Sequence, residues 1–296
     1  MRAVRIFLGL CLGMCFGWVL GSQAATAQAP ALKGRRILTA AETQQRPYCY
    51  VGRIVNQMRA NGIGGVATLV GRRHIVTAAH VIEDADLLSA KLGPILFVLP
   101  DGRRSEIAHA ELDGGFPKTR YSSYDFGVCT LQDPLGAGGH AAWGVFEDDD
   151  FGRTMTLAGY DQDLAGAVRP PPLVVRSGRV QQRRGGGTVA ALGAAALLDG
   201  ARRGRMLGTG LGAGAAVQGL LLQQHLSVGW KGDFYAAEGA SGGPIWIDRK
   251  GVPTVIGVQS GGFDGDGDRV AEFCLGSRIS PGEAEAMVRD HIARNP

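Results

Sequence analysis

The 296-residue chain has few aromatic residues, little net charge and few cysteines. Aromatics make up 7% of the sequence, and the formal net charge of +4 by itself indicates no nucleic-acid partner. The five cysteines form no Cys-x-x-Cys pair and no Cys/His cluster, so the sequence offers no structural zinc site. A content of 45% hydrophobic and 20% charged residues excludes a disordered, collagen-like or coiled-coil chain and predicts a globular protein.

The N-terminus carries an apolar run, residues 6–20, that follows Arg2 and Arg5 and precedes small residues. This order is typical of a secretory signal peptide. The run has about 15 residues, whereas a membrane-spanning helix needs about 20. We therefore expect residues 1–27 to be a signal peptide and the mature chain to be secreted or periplasmic, with an uncleaved anchor as the alternative.

The sequence shows few signs of cross-links or of a bound metal. Removal of the signal peptide leaves Cys49, Cys129 and Cys274, which allow at most one intramolecular disulfide whose pairing stays open. The alternating aspartates of residues 264–268 begin like a calcium loop, but Arg269 replaces the Gly that such a loop needs. We expect a solvated loop there, with no metal and no cofactor.

From residue 48 onward, short apolar runs alternate with Gly, Asp and Pro, a pattern typical of an all-β barrel or sandwich. Residues 28–46 are polar and are predicted to be an N-terminal tail. A helix is predicted over residues 281–294, with Ser280 as its N-cap. The predicted strands are residues 48–55, 64–70, 74–77, 94–99, 126–131, 154–159, 173–175, 244–247 and 253–259.

Residues 185–222 interrupt the β pattern, which resumes near Leu226. Of these 38 residues, 11 are Gly and 9 are Ala, and arginines are concentrated in and around the segment. We interpret it as an insertion with two alternative structures. It is either a Gly-rich loop or a helical hairpin, residues 188–198 and 206–222, that docks on an anionic membrane surface or on a partner helix.

Three motifs carry residues suited to nucleophilic catalysis. His80 follows an apolar strand and a small-residue turn, and Asp125 directly precedes another strand. Ser241 lies in the run Gly-Ala-Ser-Gly-Gly-Pro of residues 239–244, whose glycines permit a tight turn with converging N–H groups. An imidazole can take the proton of a serine hydroxyl while a carboxylate holds the imidazole in the required tautomer. The order His, Asp, Ser therefore predicts a catalytic triad.

With these motifs the chain resembles a trypsin-like serine peptidase of the chymotrypsin fold, nearest to the bacterial V8-like (glutamyl endopeptidase) branch. The resemblance rests on residues 47–54, 69–80, 239–246 and 257–262. It implies an all-β fold of two six-stranded antiparallel β-barrels within a peptidase domain over residues 47–293. It also implies that the insertion lengthens the interval between Asp125 and Ser241.

The resemblance assigns roles to the motif residues. His80 would be the general base, Asp125 would orient it, and Ser241 would be the nucleophile that forms an acyl-enzyme with protein or peptide substrates. The backbone N–H groups of Gly239 and Ser241 would form the oxyanion hole. Ser260 matches a serine whose hydroxyl supports the triad aspartate.

The chain also departs from the family pattern. Ala240 replaces the aspartate that pairs with the new N-terminus of activated zymogens, so we expect no activation switch of that type. The predicted substrate-binding residues contain no charge-reading side chain, which favours a pocket for a small or neutral residue. These residues are Tyr235, Ala236, Gln259, Ser260, Gly261 and Gly262.

Two other functions are compatible with the sequence. The protein could bind peptides in the same cleft without cleaving them. It could also be an envelope or membrane-surface scaffold that acts through its Gly-rich insertion. The complete set of His80, Asp125 and Ser241 favours the enzyme.

Overall fold

The structure of the protein is a computed structural model that describes part of the chain. The predicted signal peptide and most of the insertion lie outside the described residues. The described residues are 35–56, 64–83, 93–116, 124–161, 171–179, 206–207, 225–229, 239–263 and 273–296.

Strands dominate the described residues. The described residues contain helix α1 (Ala40–Thr43), the C-terminal helix α2 (Glu283–Arg294) and a helical turn at residues 79–83. Short 3₁₀ turns lie at Tyr48–Tyr50, Gly136–Gly138 and Asp148–Asp150. The strands are β1 (Arg35–Ile37), β2 (Val51–Asn56), β3 (Gly65–Leu69), β4 (His74–Thr77), β5 (Ile95–Val98), β6 (Arg104–Leu112), β7 (Gly127–Leu131), β8 (Ala142–Trp143), β9 (Thr154–Tyr160), β10 (Leu173–Arg179), β11 (Met206–Leu207), β12 (His225–Gly229), β13 (Pro244–Arg249), β14 (Val252–Phe263) and β15 (Phe273–Arg278).

Six strands form a closed antiparallel barrel in the order β2-β3-β4-β7-β6-β5, with β5 pairing back to β2. Strands β3, β4 and β7 are buried along their whole length, as expected for short apolar runs. The ring of Phe97 is buried against Gly52. A Cβ on Gly52 would lie 2.4 Å from that ring, so a side chain there would displace Phe97.

The remaining strands form a second sheet. Its hydrogen-bonded order is β1-β10-β9-β13-β14-β15-β12, and β8 and β11 each pair with β14. Neighbours in the run β10-β9-β13-β14-β15-β12 pair antiparallel, while β8 runs parallel to β14. The prediction of an all-β chain with a C-terminal helix is confirmed.

Two hydrophobic clusters join the barrel to the second sheet. The first contains Ile75 of the barrel, Val258 of β14 and Val288 of α2. In the second, Tyr160 of β9 donates its hydroxyl to the Val51 carbonyl at 3.1 Å, and burial raises the pKa of Tyr160 far above its usual range, so the hydroxyl stays a donor. The second cluster consists of Leu38, Val51, Val66, Ala158, Tyr160, Leu173, Val175 and Trp246.

Part of the predicted N-terminal tail has regular structure. Within residues 28–46, β1 pairs with β10, and α1 begins with a capping box between Thr39 and Glu42. Leu38 is buried, and its N–H donates to the Leu173 carbonyl at 2.9 Å. The sequence pattern missed this segment because β1 has only three residues, two of which are exposed.

The C-terminal helix begins later than predicted. Its N-cap is Gly282, with φ of +91°, and the helix starts at Glu283, so Ser280 is not the cap. The main-chain angle at Gly282 turns the chain before the helix, which leaves Pro281 outside the first turn. From there Ala284, Val288 and His291 are buried, at the spacing of one helix face.

The insertion is described only at Met206 and Leu207, which form β11 and pair with Phe263 and Gly262 of β14. The helical alternative for residues 206–222 is therefore wrong at its first two residues, where the edge of β14 supplies the main-chain partners. None of the helices in the described residues is both long and apolar enough to cross a bilayer.

Candidate active site

His80 lies where the barrel strand β4 gives way to a helical turn. The strand ends at Thr77, and residues 79–83 are helical. Thr77 fixes this strand end, because its hydroxyl donates to the Val66 carbonyl of β3 at 2.6 Å. The side chain of His80 is 22% exposed, so a substrate can reach it.

Asp125 comes to His80 through the pairing of two barrel strands. Thr77, at the end of β4, pairs with Gly127, at the start of β7, so the residues flanking these ends are neighbours. His80 Nδ1 lies 2.6 Å from Asp125 Oδ2, and the His80 backbone N–H donates to Oδ1 at 2.8 Å. An ionised carboxylate only accepts hydrogen bonds, so Nδ1 carries a proton, and in the neutral ring the lone pair is then on Nε2.

Ser260 links the second sheet to this pair. It is fully buried on β14, and its hydroxyl donates to Asp125 Oδ2 at 2.5 Å. Asp125 is 1% exposed, and it accepts hydrogen bonds from the His80 backbone, the His80 ring and Ser260. Hydrogen bonds to an ionised group are shorter and stronger than neutral ones, so they fix the carboxylate in place.

Ser241 lies in a tight turn that packs on the barrel. Gly239 and Gly242 have φ of +90° and +83°, which glycine adopts without strain. The Ser241 carbonyl accepts from the Val66 N–H at 2.8 Å, and the Gly242 N–H donates to the Gln259 carbonyl at 2.7 Å. Ala240 is buried and Ser241 is partly exposed. The main chain of Ser241 is therefore held between β3 and β14.

Gly242 brings this turn against the strand that leads to His80. A Cβ on Gly242 would lie 2.2 Å from both Thr77 Oγ1 and the Val66 carbonyl oxygen, and 3.1 Å from the Ala78 nitrogen. Only glycine allows this approach. Nothing in the sequence predicts this role of Thr77, although it lies three residues before His80 in the same motif.

The structure describes only part of the predicted substrate-binding set. Gln259 is buried, and its N–H donates to the Gly243 carbonyl at 2.8 Å, so its main chain supports the Ser241 turn. Ser260 contacts Asp125, and Gly261 pairs with Leu275 of β15. Tyr235 and Ala236 lie outside the described residues.

Cysteine and metal chemistry give little further information. Cys49 is a half-buried free thiol, and burial raises its pKa. Cys129 is buried on β7. In the described part of the chain, no three His, Cys, Asp or Glu side chains are grouped as ligands of a metal ion. The predicted loop of residues 264–268 lies outside it.

Comparison with known proteins gives one family and two similar structures. The family described as Trypsin matches residues 39–274. The structure of a Glu endopeptidase in complex with MPD has a TM-score of 0.56 and 15% identity, covering 88% of this chain and 96% of that chain. The secreted serine protease VesC from Vibrio cholerae has a TM-score of 0.53 and 17% identity, covering 83% of this chain and 46% of that chain. No curated protein sequence matches.

These similarities bear on the fold. At 15% and 17% identity a structural likeness shows the fold alone. They confirm the predicted chymotrypsin-like architecture. The match of the Trypsin family to residues 39–274 confirms the predicted family.

Proposed function

The chain belongs to the trypsin family, and on that premise we propose that it is an active, exported serine endopeptidase. One observation carries the proposal: the buried Asp125 carboxylate binds His80 by two hydrogen bonds, one from its ring and one from its backbone N–H, beside the turn that bears Ser241. Family membership supports peptidase activity in general. The geometry of the His80–Asp125 pair supports activity in this member.

The proposed reaction proceeds through an acyl-enzyme. His80 Nε2 takes the proton of Ser241 as Oγ attacks the carbonyl carbon of the peptide bond. The N–H groups of Gly239 and Ser241 stabilise the oxyanion, and the imidazolium then protonates the leaving amine as the C–N bond breaks. Water hydrolyses the ester by the same steps, and Ser241 regains its proton. Asp125 stays ionised throughout and stabilises the imidazolium.

We infer further that the cleaved bond does not follow Lys, Arg or Glu. Gln259 is uncharged, and it stands where the resemblance puts the histidine that holds a substrate glutamate. Tyr235 stands where trypsin-type pockets keep an aspartate. A peptide-library cleavage profile measures this preference, and a profile dominated by any of those three residues would contradict the proposed pocket.

Export is part of the proposal. The N-terminal pattern of residues 1–27 predicts a signal peptide, and VesC, a structural neighbour, is named as a secreted protease. No observation in the described residues favours the scaffold alternative, because the part of the insertion that is described adds strand β11 to the second sheet.

A fluorophosphonate probe tests the proposed mechanism on the purified chain. We expect covalent labelling at Ser241, no labelling in Ser241→Ala, and loss of labelling in His80→Ala. Asp125→Asn should lower turnover by about 10⁴-fold, because the amide favours the wrong imidazole tautomer. Peptide cleavage that persists undiminished in Ser241→Ala would refute the mechanism, whereas an unlabelled but peptide-binding wild type would identify a non-catalytic member.

A further inference from the structure

A buried ion cluster lies where the N-terminal strand meets the second sheet. Asp161, the first residue after β9, accepts a hydrogen bond from Arg176 of β10, and its Oδ2 lies 3.0 Å from Arg35 Nη2 of β1. The side chains of Arg35, Asp161 and Arg176 are 7%, 0% and 3% exposed. Two arginines from different strands therefore hold one buried carboxylate, and loss of Arg35 would leave Asp161 paired with Arg176 but without its link to β1.

The carboxyl end of β9 carries this cluster to the Ser241 turn. A Cβ on Gly159 would lie 2.7 Å from the Cβ of Ala240, the residue before Ser241. A Cβ on Gly243 would lie 2.1 Å from the Ala158 carbonyl oxygen. Residues 158 and 159 are therefore in direct contact with the turn, and Asp161 follows two residues later.

Arg35 and Arg36 differ sharply although they are neighbours in one strand. Successive side chains of a strand point to opposite faces. Arg35 pairs with Asp161 in the interior, whereas the side chain of Arg36 is 52% exposed and pairs with Glu42 of α1. Arg36 is therefore a matched control for any substitution of Arg35.

We propose that Arg35 is a positioning residue for the reaction proposed above. Through Asp161 it fixes the end of β9 against Ala240, and thereby the geometry of the Ser241 turn. The expected loss of activity rests on the proposed function. The expected loosening of the Ser241 turn rests on the structure alone.

The kinetic test compares Arg35→Met with Arg36→Met in the purified chain. Methionine keeps an unbranched apolar side chain without the charge. We expect kcat and the rate of fluorophosphonate labelling to fall by about tenfold or more in Arg35→Met, which corresponds to about 1.4 kcal/mol. The KM of Arg35→Met should stay near the wild-type value. The kcat, KM and labelling rate of Arg36→Met should all change little. Arg35→Lys, which keeps the charge, should recover part of the rate and serves if Arg35→Met does not fold.

A merely structural role would give a different result. It would reduce the fraction of protein that the probe labels and leave the labelling rate of the folded fraction unchanged, which would overturn the proposal. So would labelling rates that are equal in Arg35→Met and Arg36→Met.

Amide hydrogen exchange tests the effect on the turn without any need for activity. The N–H groups of Gly242 and Gly243 donate to the carbonyls of Gln259 and Ala240. We expect these two amides to exchange faster in Arg35→Met than in Arg36→Met, while the amides of β7 keep their wild-type rates. Unchanged exchange at the turn, or equally faster exchange in β7, would overturn the proposal. An unlabelled wild type would refute the peptidase function, and the exchange comparison would still decide the role of Arg35.

Discussion

Gly242 determines how closely the Ser241 turn approaches the strand that leads to His80. Its φ of +83° disfavours any other residue, and a Cβ there would overlap Thr77 Oγ1 and the Val66 carbonyl oxygen at 2.2 Å. The carbonyl belongs to a buried strand and cannot yield, so a substituted turn has to move away from the barrel. We expect Gly242→Ala to lose most of its labelling by a fluorophosphonate probe.

Gly251 provides the control for backbone strain alone. It has nearly the same φ, +81°, but no atom lies within 4 Å of a Cβ placed there. Gly251→Ala should be destabilised by about 1–2 kcal/mol and keep its labelling rate. If Gly242→Ala labelled as fast as Gly251→Ala, the close approach of the turn would have no role in activity.

Among single residues, the sequence predicts features that depend on a few neighbouring positions of the chain. The glycines around Ser241 predict a tight turn because positive φ is a property of single residues, and the turn is present. The hydrogen bond between Asp125 and Ser260 was expected through the family resemblance. The contacts of Thr77 with Gly242, and of Arg35 with Asp161, join distant parts of the chain and have no signature in spacing or composition.

Among the elements, α2 packs on the barrel through histidines. His291 is fully buried, with Nε2 2.8 Å from Thr130 Oγ1 of β7 and Nδ1 3.0 Å from Glu111 Oε2 of β6. His109 stacks on its ring at 5.5 Å, and Arg294 binds the same Glu111 carboxylate. His74 of β4 lies 2.7 Å, through Nε2, from the Asn295 carbonyl oxygen just after α2.

These contacts predict that acid loosens α2. Burial lowers the pKa of His291 and of His74, and this outweighs the opposing effects of the Glu111 carboxylate and the Asn295 carbonyl. The nearby Arg73 and His291 lower the pKa of His74 further. The nearby His109 and Arg294 do the same for His291. The folded state therefore binds fewer protons than the unfolded state, whose histidines titrate near about 6.5, so stability falls as the pH drops through that value.

Urea unfolding at pH 7.5 and pH 5.5 measures this loss. Wild type should lose stability between the two, and His291→Gln should lose less because one titrating group is gone. His140→Gln, which changes an exposed histidine, should behave as wild type. Identical pH dependence in His291→Gln and wild type would remove His291 from the explanation.

The elements found by sequence are those with apolar runs. The runs at residues 64–70, 74–77 and 126–131 correspond to β3, β4 and β7, which are buried throughout. Strand β6 was missed because exposed polar residues interrupt its pattern, although it pairs with both β5 and β7. Its residues Glu111 and His109 meet α2, so their polarity reflects a contact made by tertiary structure.

Across the whole molecule, the two hydrophobic clusters make the barrel and the second sheet depend on each other. Each cluster takes buried side chains from both: Ile75 and Val258 belong to one, and Val66 and Trp246 to the other. Neither half can expose its share of a cluster without uncovering apolar surface on its partner. We therefore expect the described β structure to unfold as one cooperative unit.

Ile75→Ala tests this coupling from within the barrel. Ile75 is fully buried, so its truncation should cost about 2–5 kcal/mol. Hydrogen exchange should then become faster in β9 of the second sheet by about the same factor as in β7 of the barrel, since both open in one global event. Val252→Ala, at a residue that is 50% exposed, should change neither. Faster exchange confined to β7 would mean that the barrel opens alone, because the clusters would then fail to transmit the lost packing energy to the second sheet.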